Sequence, residues 1–323
     1  MLEVLTAFVV GMGLPAQTAM NTRLGASLRS PLNASLVSFI EALVLLCIAL
    51  ALMGYAIDFD GAISWPGWIW LGGVCGVVFL TANLLALPRL GAVQTVVLPA
   101  VGQVVGGVAI DALGLFGSAE SALTPLRAVC AAVLVCGAVL VASSMGEGRG
   151  GSGNGAVRSA WAWRALAVVA GMFSAAQTAI NGQLAYHLGS SVAAAGVSFL
   201  IGTAALAVLA AAAGLNGRMG PGSGTTAFFQ TARARSRRDA VPKGAWWMGL
   251  GGVIGALYVL AGAAMSQAIG AGSTVTSMLA GALAGSALVG WLGLFGEKRT
   301  KPTVLQALGL VLVLAGAAGV RLM

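Results

Sequence analysis

The chain has 323 residues, of which 59% are hydrophobic and 8% charged, with a formal net charge of +8. Soluble globular chains carry about 25% charged residues, so this one lacks the charge to cover a water-soluble fold, and a soluble enzyme or binding domain is excluded. The basic excess lies between apolar runs, the pattern of a membrane protein oriented by its loops and touching anionic headgroups, so nucleic acid is discounted as a partner.

Hydropathy with Gly and Pro punctuation predicts ten spans, each near the ~20 residues that cross about 30 Å of hydrocarbon. The first half holds spans at 4–24, 34–54, 67–88, 92–112 and 125–144. No basic residue precedes Leu5 and no small-residue cleavage pattern follows, so the first apolar run reads as a retained span and not a signal peptide. Cys47, Cys75, Cys130 and Cys136 all lie in spans without C-x-x-C spacing, which supports neither disulfide nor metal and leaves them as small packers. A Gly/Ser-rich stretch at 145–160 reads as a linker between domains 1–144 and 161–323. The second half holds spans at 162–184, 192–213, 245–266, 271–292 and 302–321, with a basic loop at 215–244.

The two halves are copies. Gly11-Met12, Gln17-Thr18-Ala19 and Asn21 reappear as Gly171-Met172, Gln177-Thr178-Ala179 and Asn181, an offset of 160. Gly72, Gly76, Thr95, Gly102, Gly106 and Gly114-Leu115-Phe116-Gly117 reappear as Gly251, Gly255, Thr274, Gly281, Gly285 and Gly293-Leu294-Phe295-Gly296, an offset of 179. Five spans is an odd number, so directly joined copies enter the membrane from opposite sides. Charge agrees independently: every Lys and Arg except Arg127 and Arg321 falls on one side, which the positive-inside rule makes the cytoplasm, with both termini outside.

Gln17-Thr18-Ala19-Met20-Asn21, Ser38-Phe39, Leu71-Gly72-Gly73, Pro88-Arg89-Leu90-Gly91-Ala92, Gly102-Gln103 and Asp111 with Gly114-Leu115-Phe116-Gly117 together resemble the YdcZ-like family of the drug/metabolite transporter superfamily, in its fused two-half form. The resemblance covers nearly the whole chain. It implies an all-α membrane protein of ten transmembrane helices in two inverted five-helix repeats (DMT/EamA-like), a transport role, and a bacterial cytoplasmic membrane location. In the second half Pro88-Arg89 is replaced by Gln267-Ala268, Gln103 by Ala282 and Asp111 by Gly290, so those positions cannot do symmetric work.

Polar side chains in hydrocarbon need partners, because an unsatisfied group there costs several kcal/mol. Gln17 and Asn21 share one face of the first span, and Gln177 and Asn181 repeat this on the sixth. An antiparallel pair of halves would gather both sets about a midplane axis, to bind or gate a substrate or to cross-link helices. Glu41, the acid deepest in a span, would attract a cationic substrate, carry a coupling proton, or reach water near the span end. Asn83, Gln94, Thr95, Gln103, Tyr258, Gln267, Ser273, Thr274 and Ser277 complete a candidate lining. Asp111 reads as an interface residue and the single His187 as loop-exposed. The recurring small-residue spacings at Gly72/Gly76, Gly102/Gly106, Gly251/Gly255 and Gly281/Gly285 read as close helix packing, and Pro15, Pro88 and Pro99 as bends.

These features favour a secondary transporter of a small metabolite or drug-like compound working by alternating access. The alternatives are a flippase for a lipid-linked substrate, a channel of the same fold, or a non-transporting scaffold. Catalytic groups are not clustered and no nucleotide loop is present, so neither enzyme activity nor a cofactor is expected. The expected partners are the small-molecule substrate, cationic if Glu41 faces it, a coupling proton in that residue's other role, and membrane lipids; the chain is a monomer or homodimer.

Overall fold

The computed structural model describes residues 2–28, 30–57, 59, 61–118, 120–121, 124–143, 154–215, 246–296, 299 and 303–322. Ten helices carry the fold among them: α1 (Leu2–Gly11), α2 (Leu14–Leu28), α3 (Pro31–Leu52), α4 (Gly72–Leu113), α5 (Pro125–Ser143), α6 (Asn154–Leu188), α7 (Ser191–Leu215), α8 (Gly251–Ile269), α9 (Ala271–Leu292) and α10 (Val304–Leu322). No strand occurs among the described residues. Most of the stretch read as linker, and the basic loop beyond Leu215, lie outside them, while α6 begins at Asn154, inside that linker stretch.

The first span is two helices, not one. Pro15 has no N–H to give the Gly11 carbonyl, so α1 stops at Gly11. Met12 N–H bonds the Phe8 carbonyl and Gly13 N–H tightens onto Val10, and Gln17 N–H restarts the ladder on Gly13 at 3.0 Å. Ala175 stands at the equivalent position of α6, which runs unbroken. The second span begins cleanly, because Ser30 caps α3 by accepting the Asn33 N–H at 3.2 Å and Pro31 sits in the first turn.

The expected third and fourth spans are one helical segment, α4, that doubles back. A Cβ on Gly76 would lie 2.7 Å from Gln177, and one on Gly106 would lie 3.0 Å from Met172. Gln177 and Met172 are little more than one turn apart on α6, whereas a straight helix would separate Gly76 from Gly106 by about 45 Å. The contacts also run in opposite senses: Gly72 and Gly76 meet Asn181 and Gln177, while Gly102 and Gly106 meet Val168 and Met172. The antiparallel leg continues to Ala86 and Leu90, which pack with Ala167, and the second-half copy breaks just beyond the equivalent point, at Gly270 between α8 and α9.

Two pairs of equivalent helices fix the relation of the halves. Phe39 and Phe199, equivalent at the first offset, meet edge to face with centroids 5.0 Å apart where α3 crosses α7. On α5 and α10, Gly137 packs on the Gly309 carbonyl and Val313, while Gly316 packs on the Cys130 carbonyl and Leu134, each contact being the other's image at the second offset. Residues that touch their own equivalents lie on a two-fold axis. Both pairs run antiparallel, so that axis crosses the helices and the halves are inverted.

The remaining helices are exchanged across the axis. α1 and α2 lie against α8 and α9 of the other half, and α6 lies against both legs of α4. One apolar cluster joins Ala100, Val104 and Val108 with Leu134, Leu279, Leu283 and Val313. A second joins Ala42 and Leu46 with Ala195, Phe199 and Ala256. Large apolar side chains such as Ile48, Val208 and Val311 face outward, as a lipid-facing surface requires. The repeated Gly-Leu-Phe-Gly turns end α4 and α9 with Phe116 and Phe295 both at φ 54°, a left-handed conformation that costs a non-glycine residue about 1–2 kcal/mol. The strain aims each ring at an equivalent tryptophan, Phe116 at Trp68 and Phe295 at Trp247, at opposite ends of the bundle.

Candidate functional site

The four amides expected around an axis all point into the protein, each against a glycine of the other half. A Cβ on Gly251 would lie 2.1 Å from Asn21 Oδ1, and one on Gly255 would lie 2.6 Å from Gln17 Nε2. The images match: Gly72 to Asn181 Oδ1 at 2.0 Å, and Gly76 to Gln177 Nε2 at 2.7 Å. Only glycine leaves the notch these amides occupy, which gives the paired four-residue glycine spacing its physical purpose. The two sets are thus two contacts related by the axis. They are not chemically identical: Ser38 Oγ donates to Asn21 Oδ1 at 2.7 Å, whereas Asn181, 1% exposed, keeps a buried Oδ1 without a partner.

Glu41 is half-buried and accepts the Gly252 N–H at 3.2 Å, at the start of α8. The partner of this intramembrane carboxylate is a helix N-terminus, where the macrodipole favours negative charge. Asn83 donates to the Phe79 carbonyl and leaves its Oδ1 buried and unpaired. Gln103 is buried and Tyr258 half-buried. Thr274 is buried and its hydroxyl is spent on the Gly270 carbonyl at 2.7 Å, and Ser277 bonds Ser273 in the same way. Gln267 reaches across to the Gly182 carbonyl at 2.7 Å. Gln94, Thr95 and Pro88 lie on the α4 backbone near its reversal, with side chains outside the described residues.

The structure adds a buried ion pair that the spacing of the sequence does not announce. Asp111, at the end of α4, and Arg127, at the start of α5, are each 2% exposed and meet at 3.0 Å. Both Asp111 oxygens also lie 3.0 Å from the Gly272 N–H in the first turn of α9, so one carboxylate ties two helices of the first half to a helix N-terminus of the second. Arg127 donates further to the Ser121 carbonyl at 3.0 Å and to the Ser121 hydroxyl. Gly290 and Gln306 occupy the equivalent places, so this latch exists at one end only. The available signal was an isolated arginine on the side otherwise poor in basic residues, facing an acid on that same side.

Beside the latch a half-open cavity of about 290 Å³ lies between the halves, lined by Asp111, Glu120, Ser121 and Arg127 from the first and by Gln267 to Gly270, Ser273 and Val320 from the second. His187 belongs to the last turn of α6 and not to a loop; its ring stands 5.0 Å from Trp65. Tyr55 donates its hydroxyl to the Leu188 carbonyl nearby. Cys75 is buried, but Cys47 and Cys136 face outward, so not all four cysteines are packers.

The family described as "Putative inner membrane exporter, YdcZ" matches residues 2–140 and 162–319, one copy to each half. The chain belongs to this family. Its members are membrane transport proteins by that description, and this one is accordingly a multi-pass YdcZ-type transporter of the drug/metabolite superfamily. A solved crystal structure shares the fold at a TM-score of 0.60 and 18% identity, over 99% of this chain and 96% of the other. No curated protein matches the chain.

Proposed function

We propose that this YdcZ-type protein is a secondary transporter that carries a small polar or cationic compound outward across the inner membrane by alternating access. The observation that carries the reading is the antiparallel meeting of equivalent elements, Phe39 with Phe199 and α5 with α10. Two copies related in this way can trade conformations, and the trade turns a site open to one side into one open to the other. The exchanged helices supply the moving contacts, since glycine notches against amides offer smooth surfaces with polar stops. Export follows the family's description. The charge bias puts the basic ends in the cytoplasm and the Asp111 latch at the outer end.

Purified protein in liposomes is expected to give saturable flux of a small amine or similar polar solute, and non-saturable flux would replace the carrier with a channel. Gln17→Ala and Asn181→Ala are each expected to slow transport about fivefold, the effect of one hydrogen bond of about 1 kcal/mol offered to the passing solute, with membrane insertion unchanged. Wild-type kinetics in both variants would remove these amides from the transport path.

A further inference from the structure

We propose that the cavity beside the Asp111–Arg127 pair is a binding site for a small primary ammonium compound, with Glu120 as the group that recognises its charge. Three charged side chains line it, but they are not equally available. Asp111 and Arg127 are sealed against each other, and the carboxylate is further occupied by the Gly272 N–H. Their charges cancel and form a rigid floor. Glu120 is exposed and lies over Gly114, where a Cβ would come within 2.7 Å of its Cγ, so the missing side chain at the α4 cap positions the acid.

The other polar groups of the lining are mixed: the Arg127 Nε–H is buried without a partner, and the Gln267 amide and Ser273 hydroxyl can each donate or accept. Gln267 spends one of its two amide N–H groups on the Gly182 carbonyl, and the cavity is also lined by Gly270 and Ser273. A cavity whose exposed charge is a single carboxylate suits a ligand with one positive charge, and the mixed wall suits a short polar or apolar tail. The volume is at the lower edge of the roughly 300–1,000 Å³ usual for small-molecule pockets, which limits the ligand to a few carbons. The cavity lies between the halves but at the latch end, so it is a site met at the mouth of the path and not at its midplane. The inference rests on the transport reading for its biological meaning, but not for its test.

The test is equilibrium binding by calorimetry to the full-length protein in nanodiscs, with butylammonium, butanamide and butyrate as matched probes. Saturable binding of butylammonium alone is expected. Glu120→Gln should weaken it about tenfold, more than the few-fold effect of an open surface pair, and Glu120→Asp should retain most of it. Glu120 is exposed, so both variants keep the fold. No butylammonium binding, equal binding of butanamide or butyrate, or an unchanged affinity in Glu120→Gln would each overturn the proposal. Binding failure with intact saturable flux sinks this site alone, whereas binding without any flux sinks the transport reading instead.

Discussion

Asp111→Leu is expected to destabilise the purified protein by about 3–5 kcal/mol, measured by reversible SDS unfolding in mixed micelles. The variant strands the Arg127 guanidinium, 2% exposed, without its carboxylate, and it frees the Gly272 N–H in the first turn of α9. A charge left unpaired in a low-dielectric interior costs far more than the pair itself contributes. Asp111→Leu combined with Arg127→Met should therefore recover most of the loss. If the double variant is no better than the single, the ion pair is not what holds α4, α5 and α9 together. Transport should respond differently from stability, because the latch closes one end only: the double variant folds but should leak or lose its coupling.

Gly281→Ala and Gly102→Ala should each cost about 3 kcal/mol or prevent folding, at the upper end of overpacking effects. A Cβ on Gly281 would stand 1.9 Å from the Phe8 carbonyl oxygen, and one on Gly102 would stand 1.9 Å from that of Val168. Each obstacle is backbone on the exchanged helix of the other half, so no rotamer change relieves it and whole helices must move. Gly67→Ala is the control, since nothing lies within 4 Å of its added methyl, and it should fall within about 0.5 kcal/mol of the parent. A large effect at Gly281 with none at Gly102 would break the equivalence of the two interfaces.

The sequence carried the spans and the inversion because both are properties of each half read against itself. Apolar length, the two offsets and an odd number of spans all survive without knowledge of any contact. The exchange of helices did not show in this way. Offsets align Gln17 with Gln177, but Gln17 packs on Gly255, a partner more than 200 positions away and of a different residue type. In the sequence the amides and the glycine pairs therefore read as separate features, candidate lining and packing, although they are two sides of one contact. The Asp111–Arg127 pair escaped for the opposite reason. Its equivalents are Gly290 and Gln306, so a comparison of the copies passes over it, and hydropathy sees in Arg127 only an exception to the loop charge bias. Glu41 was legible as an acid in need of a partner, yet a helix N-terminus has no residue type to announce it.

Single cysteines at Leu115 and Leu294 test the inversion most directly. These residues occupy the same place in the two Gly-Leu-Phe-Gly turns and are 41% and 39% exposed. In a background lacking Cys47, Cys75, Cys130 and Cys136, Leu115→Cys should react with an impermeant maleimide on intact cells, and Leu294→Cys only in inside-out vesicles. The reverse pattern would keep the inverted halves and turn the proposed orientation over. Labelling of both from one face would contradict the account.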